Sequence, residues 1–316
     1  MRRHFPVVLA VGVGLLAAGS LRALPDSGQR ARFEALILRG PQFLERGDLA
    51  HAVEQLDQAI EVEPRSAAAH ILRGAARHRG GDLEGAAADY RRAIEIDSRR
   101  AQAHCNLGAV LLEARRFAEA VACFSEAIRR DAGHGNSFLG RGEARMELRE
   151  FRNALADFDT ALKVLPLASA GSCSVSSRNP LRARAYFDRG RARQELSDLK
   201  GAIADYLRAI EIDPGLAEAH CNLGNARLRL GDALPALEDF TRAIEGNAGL
   251  AEAFAGRGAA LVMLGRFEPA KRDFDRAVAL DPELKALLDR ALPTGSDPSN
   301  FAVCAGCEGP GTRKGP

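Results

Sequence analysis

The chain has 316 residues and a formal net charge of +2, with acidic and basic side chains interspersed along its length. Without a block of like charge it offers no electrostatic footprint for nucleic acid or an anionic membrane surface. Aromatics make up only 5%, tryptophan is absent, and alanine supplies much of the apolar share, which suits helices packed closely through small side chains.

Residues 1–23 come first. Arg2 and Arg3 precede an apolar run from Val7 to Ala18, and the small residues Ala18-Gly19-Ser20 follow. That order is the order of a secretory signal, with cleavage expected near Ser20 or Ala23. The run is shorter than the ~20 residues of a spanning helix. An uncleaved anchor, its positive end cytoplasmic, would still leave the remainder outside. Either way the chain is expected to be exported, periplasmic or extracellular. The cysteines are too dispersed for the disulfide framework of a small secreted domain.

After a linker over 24–32, a 34-residue period begins. Its units start at Phe33, Ala67, Ala101, Gly135, Ala183, Ala217 and Ala251. Numbering positions from each start, glycine stands at position 8 (Gly40, Gly74, Gly108, Gly142, Gly190, Gly224, Gly258). A large side chain stands at position 24 (Leu56, Tyr90, Phe124, Phe158, Tyr206, Phe240, Phe274), and alanine at 27. Positions 4, 8 and 11 share one face of a first helix; 20, 24, 27 and 28 form the apolar stripe of a second. Two helices per short unit, repeated in register, predict an all-α solenoid, a superhelix of tandem helix-turn-helix repeats.

Asp48, Asp82, Asp198 and Asp232 occupy one phase and read as N-caps of second helices. Pro41 falls inside the first helix of unit one and is expected to kink or shorten it. Units one to four cover 33–166 and units five to seven 183–284. Between them the Ser/Gly-rich stretch 167–182 reads as an inserted loop, either bulging from a continuous array or dividing it. Leu284, Leu287, Leu288, Ala291 and Leu292 predict a capping helix over 285–292. Residues 293–316 have the composition of a disordered tail.

This pattern resembles the tetratricopeptide repeat, in seven in-phase copies. The family's aromatic at position 4 appears as Phe138, Tyr186 and Phe254, with His70, His104 and His220 elsewhere and Leu36 in unit one. Its tyrosine at position 11 is here mostly arginine or leucine. The resemblance implies protein or peptide binding in a concave groove lined by positions 2, 5, 9 and 12 of the first helices. In the middle of the array these are Asn136, Leu139, Glu143, Met146, Arg184, Phe187, Arg191, Gln194, Glu218, Cys221, Asn225 and Leu228. Phe187, set between two arginines, is the expected anchor. The family's clamp for a C-terminal carboxylate needs a Lys/Asn set that this chain lacks, apart from Asn225 at position 9.

No phosphate-loop, HExxH or GxSxG pattern occurs, so neither an enzyme nor a cofactor site is expected. His70, His104 and His220 share a packing position and read as core histidines. Cys304 and Cys307 form a lone CxxC, a weak metal or redox signal without a second ligand pair. Arginine at position 7 accompanies aspartate at position 23 as Arg73 and Asp89, Arg141 and Asp157, Arg189 and Asp205, and Arg257 and Asp273. These predict ion pairs between the two helices of a unit. The expected role is an exported, non-catalytic interaction scaffold, in a bacterial envelope assembly. The alternatives are a redox or metal carrier through the CxxC, or the substrate-recruiting subunit of a separate enzyme.

Overall fold

A computed structural model describes residues 27–166, 179–286 and 288. The expected signal or anchor segment, the core of the expected insert (167–178), the end of the expected capping stretch and the tail with Cys304 and Cys307 lie outside those residues. The described chain is all-α, fourteen helices without a strand. It divides into two compact units, residues 1–148 and 149–316.

The first unit holds α1 (Ser27–Glu45), α2 (Leu49–Val62), α3 (Ala67–Arg79), α4 (Leu83–Ile96), α5 (Ala101–Glu113), α6 (Phe117–Arg130) and α7 (Gly135–Glu147). The second holds α8 (Phe151–Val164), α9 (Pro180–Glu195), α10 (Leu199–Ile212), α11 (Ala217–Arg229), α12 (Ala233–Gly246), α13 (Ala251–Met263) and α14 (Phe267–Leu280). Repeats one to three lie in the first unit and five to seven in the second; repeat four contributes one helix to each. The fold class is a solenoid of tandem helix-turn-helix repeats.

The pairs lock where glycine meets a ring. A Cβ on Gly74 would lie 2.8 Å from the Tyr90 ring, and one on Gly190 would lie 2.6 Å from that of Tyr206. Gly108 faces Phe124, Gly224 faces Phe240 and Gly258 faces Phe274 in the same way. A second set of glycines does equal work at position 6. Gly140 and Gly256 each press on the ring of the preceding repeat, Phe124 and Phe240, too closely for any β-carbon. Both rings are therefore held between two backbones and are fully buried.

Local signals mostly act as the residues suggest. The side chains of Asp48, Asp82 and Asp198 accept from the N–H groups of His51, Gly85 and Gly201. Asp232 sits at the same N-cap but caps nothing with its side chain, because the residue three on is Pro235, which has no N–H. Pro41 does not shorten α1, which runs through it and starts at Ser27, inside the expected linker. α9 likewise begins at Pro180, three residues early, behind the N-cap Asn179. The ends of the insert are tied together. Asn179 Nδ2 donates to the Pro166 carbonyl at 2.8 Å, and Arg182 Nη1 to those of Leu162 and Leu165 at 2.7 and 3.0 Å. Past repeat seven, a 3-10 turn at Pro282–Leu284 brings Leu288 down onto Phe274 and its neighbours.

Position 15, in the turn between paired helices, has left-handed backbone throughout the sites recorded. Glycine takes it at Gly47, Gly81, Gly231 and Gly265, but Arg115, Arg149 and Ser197 also hold φ near +60°. Arg115 and Arg149 lie over the rings of Phe117 and Phe151, both at 5.8 Å. No ring contact of that kind is seen for Ser197. Ser197→Gly is expected to stabilise the second unit by up to about 1 kcal/mol, read as a higher urea midpoint.

Candidate functional site

The first helices are held against the second by buried carboxylates. Arg189 grips Asp205 with two hydrogen bonds of 2.9 and 2.6 Å, and Arg257 grips Asp273 with two of 2.8 Å. Arg73 grips Asp89 through the same fork. Three of the four expected pairs are thus formed; the fourth, Arg141 and Asp157, has one residue in each unit. Arg141 also donates to Ser125 at 3.1 Å.

Position 11 supplies a second donor that the sequence reading passed over as a departure from the family's tyrosine. Arg77 reaches Asp89 at 2.8 Å, Arg193 reaches Asp205 at 2.8 Å, and Arg227 reaches Asp239 at 2.6 Å. Its signal was present: positions 7 and 11 are one turn apart on the same face. Repeat six, with Leu223 at position 7, relies on Arg227 alone. At Asp89 and Asp239 the electrostatics follow the number of donors. Burial alone would raise the Asp89 carboxyl, but His70, Arg73 and Arg77 together hold it below its ordinary value. At Asp239 burial wins over Arg227, and the carboxyl is raised.

The position-4 histidines serve packing and the preceding turn. His70 Nε2 lies 3.3 Å from the Pro64 carbonyl, and His104 Nε2 lies 3.1 Å from that of Ser98. A carbonyl only accepts, so Nε2 of each ring is a donor; His70 also faces an acceptor through Nδ1, 3.5 Å from Asp89 Oδ1. His220 faces Pro214 in the same way, and burial lowers its pKa. Among the described residues no group of three or more His, Cys, Asp or Glu side chains is arranged to hold a metal ion. Cys105 and Cys221 are buried, and burial pushes the Cys105 thiol up to about 11, far from a reactive thiolate.

The twelve residues expected on the groove side divide by accessibility. Glu218 is exposed, and Asn136, Arg184, Arg191 and Gln194 are half-buried. Leu139, Glu143, Met146, Phe187, Cys221, Asn225 and Leu228 are buried. Phe187 is 8% exposed, with its ring centroid 6.0 Å from that of Tyr206, so it belongs to the core of repeat five. Gln194 accepts from the Tyr206 hydroxyl at 3.1 Å, and Asn225 lies 3.9 Å from the Cys221 sulfur. Arg184 and Arg191 close over Asp188, at 3.4 and 3.3 Å. Of these twelve, the side chains that remain accessible are charged or amide groups.

Helix pairs in a 34-residue register, locked by a ring under glycine in repeats two, three, five, six and seven and by Leu56 under Gly40 in repeat one, define a repeat protein of the helix-hairpin class. Family models agree: a TPR repeat model matches residues 75–114 and 183–231, and a tetratricopeptide repeat model matches 101–134. The chain contains tetratricopeptide repeats. Among solved structures it is similar to a tetratricopeptide repeat protein from Parabacteroides merdae, with 18% identity, 86% of this chain and 99% of that one covered, and a TM-score of 0.58. It is also similar to PilW, described as a widely conserved type IV pilus biogenesis factor, with 18% identity, 72% and 97% covered, and a TM-score of 0.59. At that identity the likeness is one of fold. Comparison with curated proteins gave no match. Among the described residues no helix is long and apolar enough to cross a membrane.

Proposed function

We propose that this chain is a non-catalytic scaffold that holds an extended or helical segment of a partner protein along the exposed side of its first helices. One contrast carries the reading. Packing positions repeat from unit to unit, whereas position 2 runs Glu34, Ala68, Gln102, Asn136, Arg184, Glu218, Glu252. The fold makes no uniform demand on that side, which leaves it to be shaped by what it binds. In repeats five and six the recognition set is Arg184, Arg191 and Glu218 above the floor of Phe187, Cys221 and Leu228, with Gln194 and Asn225 holding that floor. On α7 the corresponding set is Asn136 above Leu139, Glu143 and Met146. The charge order at Met1–Ala23 supports export, and with it a partner in the cell envelope.

The test uses accessible residues, because a Phe187 substitution would damage the core. Affinity capture from an envelope extract, comparing the wild type with Arg184→Gln/Glu218→Lys, is expected to lose the partner band at unchanged helicity. Equal recovery by both proteins would reject the assignment of this side. Mass spectrometry of the mature amino terminus tests export, the expected start lying between Leu21 and Leu24.

A further inference from the structure

The seven repeats are not interchangeable; their features recur every third unit. Repeats three and six both read Ala-x-Ala-His-Cys-Asn-Leu-Gly, ending at Gly108 and Gly224. Repeats two and five pair Arg at position 7 with Tyr at 24, and repeats four and seven share Gly140 and Gly256 at position 6. Repeats one, four and seven all carry aspartate at position 25: Asp57, Asp159 and Asp275.

The first two of these aspartates join a repeat to its successor. Arg73 Nη1 reaches back to Asp57 at 2.6 Å, and Arg189 Nη1 reaches back to Asp159 at 2.7 Å. Asp275 closes repeat seven, exposed, and the register beyond it places Ala291, not arginine, at the next position 7. The opening repeat holds the reciprocal half. Arg39 stands at position 7, exposed, and its own second helix has Gln55 where the other forks have aspartate. Beside it Leu38 is 51% exposed. It occupies position 6, where Gly140 and Gly256 press against the ring of a preceding repeat. One end of the chain thus presents a cation and an apolar side chain without a predecessor repeat. The other presents the exposed Asp275 carboxylate beside a Phe274 ring that Leu284 and Leu288 cover.

We propose that the protein associates head to tail with a second copy of itself, Arg39 of one chain pairing with Asp275 of the next as Arg73 pairs with Asp57. Leu284 and Leu288 pack over Phe274, so the C-terminal turn competes for this face and moves aside when a copy docks. The contact is heterologous, so it propagates into open chains or rings rather than stopping at a dimer.

Sedimentation velocity of the full chain over a wide concentration range tests this, with circular dichroism as the control for folding. The expected result is a mass that rises with concentration. Arg39→Asp or Asp275→Arg alone is expected to weaken association about tenfold or more. The double variant, in which the charges are exchanged, is expected to recover it. Leu288→Asp, which frees the face, is expected to strengthen it. A single-chain mass for both wild type and Leu288→Asp would overturn the proposal. So would association that ignores the two charges or fails to return in the double variant.

Discussion

Phe240→Ala is expected to lower the stability of the second unit by about 3–5 kcal/mol. The ring is fully buried, lies between the backbones of Gly224 and Gly256, and packs with Ala236, Ala243, Ala253 and Leu228. Its loss leaves a void that rigid helices on both sides cannot close. The complementary change, Gly256→Leu, drives a side chain into the same ring and is expected to cost roughly 1–3 kcal/mol or more. Combined, the two are expected to be less harmful than their sum, because leucine at 256 grows into the space the ring vacated. A coupling of about 0.5–3 kcal/mol measures that compensation. Urea denaturation followed by circular dichroism gives the totals. Hydrogen exchange over α11–α14 localises them, which matters because a repeat array need not unfold in one step. A cost below about 1 kcal/mol for Phe240→Ala would mean that the ring is not what joins repeats six and seven.

The second large effect is electrostatic, and its sign differs between two aspartates at the same position. Asp89 has His70, Arg73 and Arg77 around it, and its folded pKa lies below the ordinary 3.8. It therefore contributes stability that is fully present above 3.8 and lost as pH falls through the lowered value. Asp89→Asn is expected to cost about 1–3 kcal/mol at neutral pH: one amide oxygen remains, but Arg73 and Arg77 lose the second oxygen and its charge. It is also expected to flatten the acid limb of the stability profile. Asp239 has a raised folded pKa, so its ionised form is favoured less in the folded chain than in the unfolded one. Its contribution is largest below the unfolded value and is lost as pH rises through the folded one. Asp239→Asn is accordingly expected to cost under about 1 kcal/mol, Arg227 keeping an amide oxygen to donate to. Equal losses from the two substitutions at neutral pH would contradict the donor-count explanation.

Much of this was legible in the linear chain. The recurrence of glycine, ring and alanine every 34 residues marked the helix pairs, because each pair must bury the same stripe against the same neighbour. The intra-repeat forks at Arg73, Arg189 and Arg257 were legible for the same reason: both partners flank that stripe. The cap at Asp232 was placed correctly as a position but not as a bond, since the missing N–H of Pro235 matters only once the helix is built.

Other features depended on the stacking of one pair upon the next. Nothing in a single repeat announces that Gly140 and Gly256 must yield to the ring behind them, or that Arg73 also reaches Asp57. The same holds for the candidate binding face. Helical phase put Phe187, Cys221, Asn225 and Leu228 on the groove side, yet they are buried, whereas Arg184, Arg191 and Glu218 keep part of their surface accessible. The repeated sequence by itself determined the fold class, the register and the partners within a pair, because those contacts recur at constant spacing. Which side chains are covered, and how many donors each carboxylate receives, was decided only by the tertiary structure. Burial there is set by the neighbouring repeat, whose distance from a given side chain no local pattern records.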